Sequence, residues 1–255
     1  MLYRDWHACP VKTGPVSRKG EVAPTCRTPM KLFIVRHGQT ESNRLKVYAG
    51  QSDEPLEDEG ISQAHVVGQQ LSAEKVSAVY ASPLRRARQT AEIIVHYFHE
   101  CVSLRPKARP VAGGPEGGDT GVSARKDLKV KTLDGLREMV FGPWEGLRED
   151  EIARRYPDQW QVWLSKPAEL ELPGRETLMA LQRRAVRAID TITDETKQDA
   201  IVVTHVALIR CVFLHYNGIE LDRYKTIDVL NGSIFQLKVD HGQGRMEVFR
   251  SPTMP

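Results

Sequence analysis

Arg36-His37-Gly38 combine a nucleophilic imidazole with a permanent cation, and they directly follow the apolar run 32–35. The run predicts a short buried strand, and Gly38 lets the chain turn at its carboxyl end, where open α/β sheets bind their ligands. A histidine beside an arginine at such an edge indicates phosphate chemistry. Because a tripeptide of this kind also arises by chance, the interpretation needs support from other residues.

Two more predicted strand ends carry similar groups. Ser82-Pro83 opens a predicted helix with arginines in its first turn, among them Arg86. Cations are unfavourable beside the positive end of a helix dipole unless an anion binds there too. Solvated surface arginines are the ordinary explanation of such a run, but its place after a strand favours a phosphate site. His205 follows the predicted strand 200–204, and a second histidine at the same edge is not what a purely structural role predicts.

Two carboxylates in the segment 136–146, Glu138 and Glu145, are candidate proton donors. A carboxyl group placed beside a phosphate ester can protonate the leaving alcohol. Glu145 belongs to the turn Trp144-Glu145-Gly146, for which we predict a packing role.

The elements that must position these groups alternate between helix and strand patterns, which is typical of a layered α/β domain. Apolar spacing predicts helices over residues 56–71, 84–98, 149–156, 177–192 and 206–216, strands over 31–35, 76–81 and 200–204, and a closing hairpin over 233–239 and 245–249. We predict a single domain over 31–255, preceded by a poorly ordered N-terminal extension at 1–30. A flexible insertion is expected at 105–132, which is rich in Pro and Gly and lacks apolar periodicity.

The charge balance disfavours several classes of partner. The 255 residues carry a net charge of +3, but five Lys/Arg and two Asp/Glu fall in the first 30 residues, so the rest is neutral. Composition therefore demands no basic face, and neither nucleic acid nor a membrane surface is an expected partner.

The cysteine positions and the apolar segments point to an ordinary intracellular protein. Four cysteines without C-x-x-C spacing predict reduced thiols rather than a zinc knuckle or a disulfide framework. We see no signal peptide and no membrane span, and we expect a cytoplasmic location.

Taken in order, these segments resemble the histidine phosphatase superfamily, from about residue 31 to 249. The matching motifs are Arg36-His37-Gly38-Gln39-Thr40 with Asn43, Gly50-Gln51-Ser52-Asp53 before Pro55-Leu56, Ser82-Pro83-Leu84 with Arg86-Ala87 and Gln89-Thr90-Ala91, Glu138 before Gly142 and Trp144-Glu145-Gly146, Pro173-Gly174 with Glu176-Thr177, and Thr204-His205 with Ile209-Arg210. The resemblance implies a three-layer sandwich with a mostly parallel central sheet and helices on both faces, as in phosphoglycerate mutases.

The resemblance also implies a two-step transfer through a phosphohistidine, without metal or cofactor. His37 would be the nucleophile, and Glu138, favoured over Glu145 by its match to the family acid, would protonate the leaving alcohol. The groups that would bind the phosphate are Arg36, Asn43, Arg86 and His205, and those that would contact the rest of the substrate are Gln51 and Thr204.

The main prediction is a metal-independent phosphomonoesterase acting on a small phosphorylated metabolite, with a homodimer as one option for its assembly. Gln39-Thr40-Glu41-Ser42-Asn43 looks like the phosphatase branch, while a phosphoglycerate mutase-type phosphotransferase is the alternative. An inactive phospholigand-binding or scaffold protein is a second alternative, and zinc hydrolysis through His96 and His99 is weaker.

Two departures from the family pattern stand out. Val206-Ala207 replace the usual glycines, which would add bulk beside the pocket, and Arg175 replaces a glycine, which would alter a turn.

Overall fold

Six strands form a single central sheet. The computed structural model describes residues 29–103, 128–240 and 243–250, without the side chains of 100–103 and 240. The strands are β1 (Met30–Arg36), β2 (Ala78–Ala81), β3 (Val130–Thr132), β4 (Ala200–Thr204), β5 (Ile234–Asp240) and β6 (Gln243–Arg250), in the order β3-β2-β4-β1-β5-β6. The first four of that order are parallel, and β5 and β6 are antiparallel to their neighbours. The predicted mostly parallel sheet is confirmed.

Helices cover both faces of this sheet. They are α1 (Glu41–Leu45), α2 (Asp58–Leu71), α3 (Arg85–Ser103), α4 (Glu149–Arg155), α5 (Pro157–Ser165), α6 (Leu178–Thr196) and α7 (Val206–Tyr216). Short 3₁₀ helices lie at Asp134–Leu136, Gly142–Trp144, Pro167–Glu169 and Leu221–Thr226.

The alternation of side chains along the strands creates two apolar cores, one on each face. Phe33 and Val35 of β1 pack with the apolar stripes of α2 and α3, such as Val67 and Ala91. Leu32 and Ile34 belong to the larger core, which α6 and α7 cover. The predicted three-layer arrangement follows directly from this division.

Three elements differ from the prediction. Val130–Thr132, which we placed in the flexible insertion, instead forms β3, paired with β2 from Val79 to Ala81. Its half-buried and exposed pattern carries no apolar signal, because it lies at the sheet edge. Helices α1 and α5 were not predicted. Residues 1–28 of the predicted extension and 104–127 of the predicted insertion lie outside the described residues.

The strand register sets where the loops converge. Arg36 pairs with Thr204, and Ala81 pairs with Val203, so β1, β2 and β4 end at the same edge. The residues that follow these strands therefore meet, as the sequence predicts. In the part of the chain that the structure describes, no helix has the length and apolarity to cross a membrane.

Candidate active site

His37 lies buried at the end of β1, with its backbone fixed and its ring oriented. Its N–H donates to the carbonyl of Thr204 at 3.0 Å, which continues the pairing of β1 with β4. The ring Nδ1 lies 2.7 Å from the carbonyl oxygen of Gly38. Because a carbonyl only accepts, Nδ1 carries the proton and Nε2 keeps its lone pair. The imidazole therefore presents Nε2 as the nucleophilic atom.

The surroundings of His37 keep the ring neutral. Burial lowers the pKa of His37 well below its ordinary value of 6.5, and the charges of Arg86 and Arg36 lower it further, against the opposing effect of the Gly38 carbonyl. A neutral imidazole is the form that can attack phosphorus.

Arg86 stands in the first turn of α3 and is almost fully buried. Its Nε donates to His37 Nε2 at 3.2 Å, while its two terminal nitrogens donate to the carbonyls of Ser52 at 2.6 Å and Gly50 at 2.9 Å. The loop 50–52 therefore orients the guanidinium against the nucleophile. A phosphate on Nε2 would meet this cation directly.

Arg36 contributes a second cation. One terminal nitrogen donates to the carbonyl of Val229 at 2.6 Å, and Nε is buried without a hydrogen-bond partner among the described residues. Burial lowers the pKa of Arg36 to about 10, which still leaves it charged at neutral pH. An unpartnered cationic donor beside the nucleophile suits an incoming anion.

His205 packs edge-on against His37, with 5.0 Å between ring centroids. Its Nε2 lies 2.7 Å from the Ser82 hydroxyl, and its Nδ1 is buried with no hydrogen-bond partner in the part of the chain that the structure describes. Burial, followed by the charge of Arg86, lowers the pKa of His205 well below 6.5. The ring is therefore neutral in this structure. A phosphate dianion would favour its protonation by the same electrostatics.

Asn43 is held so that its amide nitrogen is left for a ligand. Its Oδ1 accepts from the backbone N–H of Thr40 at 3.2 Å and from Asn231 Nδ2 at 2.9 Å. Asn231 also donates to the carbonyl of His37 at 3.0 Å. Asn231 was missed by sequence reasoning, although its position before Gly232, in a turn just ahead of β5, marked it as a loop residue at this edge.

Glu138 is buried beside the two arginines. Its Oε1 accepts from the backbone N–H of Met139 at 2.8 Å. Burial raises the pKa of Glu138 above 4.5, and the Met139 N–H, Arg86, Arg36 and the Ala207 N–H oppose that rise. A carboxyl group with a raised pKa, placed near the phosphate cations, suits a proton donor.

Glu145, the competing carboxylate, has a different environment. Its Oε1 accepts from the backbone N–H of Phe141 at 3.0 Å, which closes the turn around Gly142. This contact is the packing role that the turn motif indicates.

The two predicted substrate contacts differ in placement. Gln51 donates from Nε2 to the backbone carbonyl of Glu138 and so supports the acid-bearing loop. Thr204 is fully buried, and its hydroxyl donates to the carbonyl of Leu136 at 2.8 Å. The Thr204 hydroxyl thus links the end of β4 to the backbone of Leu136, and its role as a substrate contact stays a prediction.

The residues that depart from the family pattern, such as Ala207 and Arg175, remove none of the candidate site residues. Ala207 is fully buried in the core covered by α7, so its methyl group packs away from solvent. Arg175 is also buried, with its guanidinium carbon 4.6 Å from the centroid of the Trp163 ring and 5.4 Å from that of Trp144. Burial lowers the pKa of Arg175 to about 10. Arg175 therefore fills the aromatic core beneath the acid loop rather than only altering a turn.

No group of three or more His, Cys, Asp or Glu side chains that could hold a metal ion occurs within residues 29–103, 128–240 and 243–250. The carboxyl edge of the sheet instead brings together two histidines, two arginines and a protonatable carboxyl group, namely His37, His205, Arg36, Arg86 and Glu138. An α/β sheet with this set at its carboxyl edge defines the class of phosphoryl-transfer proteins.

Comparison with known proteins identifies the family. The model of the histidine phosphatase superfamily (branch 1) matches residues 32–116 and 119–252, and the chain belongs to that family. It is a phosphoric monoester hydrolase.

Individual relatives agree with this assignment. The chain is 25% identical to phosphoserine phosphatase 1 of Hydrogenobacter thermophilus over 205 residues, covering 80% of this chain and 84% of that protein. It is 29% identical to a metal-independent phosphoserine phosphatase of Arabidopsis thaliana over 187 residues, covering 72% and 67%. The fold is similar to the phosphoserine phosphatase of Entamoeba histolytica solved with 3-phosphoglyceric acid, with a TM-score of 0.68, 24% identity, and coverage of 87% of this chain and 97% of that one.

Proposed function

We propose that the protein is a metal-independent phosphomonoesterase that works through a phosphohistidine on His37, with Glu138 as the general acid. The observation that carries the proposal is the orientation of His37, whose Nδ1 proton is held by the Gly38 carbonyl while Nε2 faces Arg86. The lone pair of Nε2 therefore directly faces the cation that we propose to bind the phosphate.

In the first step, Nε2 of His37 attacks phosphorus, and the bond from phosphorus to the ester oxygen breaks. Arg36 and Arg86 stabilise the charge on the phosphoryl oxygens, with the Asn43 amide as a neutral donor. Glu138 gives its proton to the leaving oxygen, so that an alcohol departs.

In the second step, Glu138 takes a proton from water, which attacks phosphorus. The bond from phosphorus to Nε2 breaks, its electron pair returns to the imidazole, and inorganic phosphate leaves. The carboxyl group is thereby protonated again for the next cycle.

The substrate that we propose is a small phosphorylated metabolite. The relatives whose names specify phosphoserine support phosphoserine as the first compound to test. The cytoplasmic location, the homodimer, and the division into an extension at 1–30 and a domain over 31–255 stay predictions.

The test is hydrolysis of an aryl phosphate in the presence of EDTA, followed by a panel of phosphate esters that includes phosphoserine. We expect wild type to turn over without metal and His37→Ala to lose about 10⁴-fold or more in kcat/KM. The exposed His65, which contacts Tyr97 on α3, supplies the matched control His65→Ala.

Wild type quenched in alkaline detergent should carry an alkali-stable, acid-labile phosphate that His37→Ala lacks. Full turnover by His37→Ala would overturn the proposal. Phosphohistidine that is discharged only to an added phosphoglycerate would favour the mutase instead.

A further inference from the structure

Arg184 of α6 makes three hydrogen bonds to the segment that carries the proposed proton donor. One terminal nitrogen donates to the carbonyls of Gly135 at 3.0 Å and Arg137 at 2.8 Å. The other donates to the carbonyl of Glu138 at 3.3 Å. One side chain therefore hydrogen-bonds to three backbone carbonyls, which belong to Glu138 and to two residues shortly before it.

The remaining donors of Arg184 hold a carboxylate. Nε donates to Glu176 Oε1 at 3.0 Å, and the second terminal nitrogen donates to Glu176 Oε2 at 2.8 Å. Arginine has five N–H donors, and each has an acceptor here. The pair is mostly buried, with 27% of the Arg184 side chain and 15% of the Glu176 side chain exposed.

Glu176 closes the arrangement from the other side of the acid. Its backbone N–H donates to the carbonyl of Val140 at 2.9 Å. The residues from Arg137 to Val140 belong to no helix or strand, so their carbonyls depend on such partners. Gln51 adds another donor to the Glu138 carbonyl.

We propose that Arg184, paired with Glu176, is a positioning residue that fixes the backbone at Glu138 so that its carboxyl group meets the leaving oxygen. This inference rests on the proposed function. Arg184 acts through the main chain of Glu138 and needs no contact with substrate. Proton transfer requires heavy atoms within about 2.6–3.2 Å. A segment without regular structure keeps such a distance only when side chains from other elements hydrogen-bond to its backbone.

The role predicts a dependence on the leaving group that a general structural role does not. Phenyl phosphate needs a proton on its leaving oxygen, whereas 2,4-dinitrophenyl phosphate releases a stable anion. We expect Arg184→Met to slow the single-turnover release of phenol by about 10²-fold, the cost of a small misplacement of a catalytic group. Release of dinitrophenolate should stay within about threefold of wild type, because acid assistance is dispensable there.

Two further variants make the assignment specific. Arg184→Met in a Glu138→Gln background should cause no additional loss on phenyl phosphate, because the group that it positions is already disabled. Arg187→Met changes an exposed arginine three residues further along α6 and should match wild type on both esters.

Equal losses on both esters, or an additional loss in the Glu138→Gln background, would overturn the inference. Should Arg184→Met unfold, Glu176→Gln tests the same clamp with a near-isosteric change, and it must show the same selectivity between esters at smaller size. The two proposals fail differently. The proposed function fails if His37→Ala keeps full turnover or if Glu138→Gln loses equally on both esters, whereas the inference fails if Glu138→Gln is selective for phenyl phosphate and Arg184→Met is not.

Discussion

The proposed nucleophile and the proposed proton donor of this protein are held by different kinds of structure. His37 continues a strand, and its backbone N–H takes the next place in the pairing of β1 with β4. Glu138 lies in a segment without regular structure, tied by the long side chains of Arg184 and Gln51. The sheet therefore positions the phosphate side of the site, which contains His37 and Arg86. Side chains from distant helices and loops position the leaving-group side, which contains Glu138.

The largest expected effect comes from the phosphate side. Arg86→Met removes the cation that faces His37 Nε2, and we expect kcat/KM to fall by about 10³-fold for phenyl phosphate and 2,4-dinitrophenyl phosphate alike. Charge on the phosphoryl oxygens must be stabilised whatever group leaves. The exposed Arg88 of the same helix gives the control Arg88→Met, which should retain activity. A loss confined to phenyl phosphate would erase the distinction between the two sides.

A smaller and selective effect is expected on the acid side. Glu138→Gln should lower kcat/KM by about 10²-fold for phenyl phosphate and leave dinitrophenyl phosphate nearly unchanged. Steady-state assays of both esters measure this, and equal losses would argue against general-acid catalysis by Glu138.

The pH profile sharpens the same assignment. The active form of Glu138 in the first step is the protonated one, which is lost as pH rises through its pKa. Because burial raises that pKa above 4.5, kcat/KM for phenyl phosphate should decline as pH rises, and the decline should occur at a higher pH than an ordinary carboxyl group would give. Glutamine does not titrate, so the decline should vanish in Glu138→Gln, and its persistence would assign it to another group.

An effect on stability alone is expected from the close packing of the turn at Gly38. A Cβ on Gly38 would lie 2.2 Å from the carbonyl oxygen of Gly60 in α2, so Gly38→Ala must displace backbone. We expect the free energy of unfolding to fall by about 3 kcal/mol, at the upper end of overpacking costs. Gly218→Ala has open space and only a positive φ of +64°, so about 1 kcal/mol is expected. Urea unfolding compares the two, and equal losses would show that the turn at Gly38 yields easily.

The contrast between the two sides also explains what the sequence could predict. The residues at the strand ends could be predicted because β-branched and apolar runs such as 200–203 locate buried strands, and the residues that follow each strand can then be read from the sequence. Arg86 was singled out in the same way, in the helix that follows β2. The three-layer fold rested on helical spacing in α2, α3, α6 and α7, each of which buries one face.

The support of Glu138 was not predictable in this way. Arg184 belongs to the half-exposed side of α6, where an arginine is ordinarily a solvated surface group. Its acceptors on the acid segment lie 46 to 49 residues away in sequence and are backbone carbonyls, which leave no residue pattern. The edge strand β3 was missed for a related reason, since its pairing depends on which neighbour the tertiary structure supplies.

The pairing of β1 with β4 has a consequence for synthesis of the protein. Arg36 and Thr204 are neighbours in the sheet although they are separated by most of the chain. Contacts of such long range form slowly, because a large loop must close first. A ribosome-bound chain ending before β4 would carry the nucleophile without the strand that orients it. We therefore expect the proposed phosphate chemistry to begin only after β4 has been synthesised and has paired with β1.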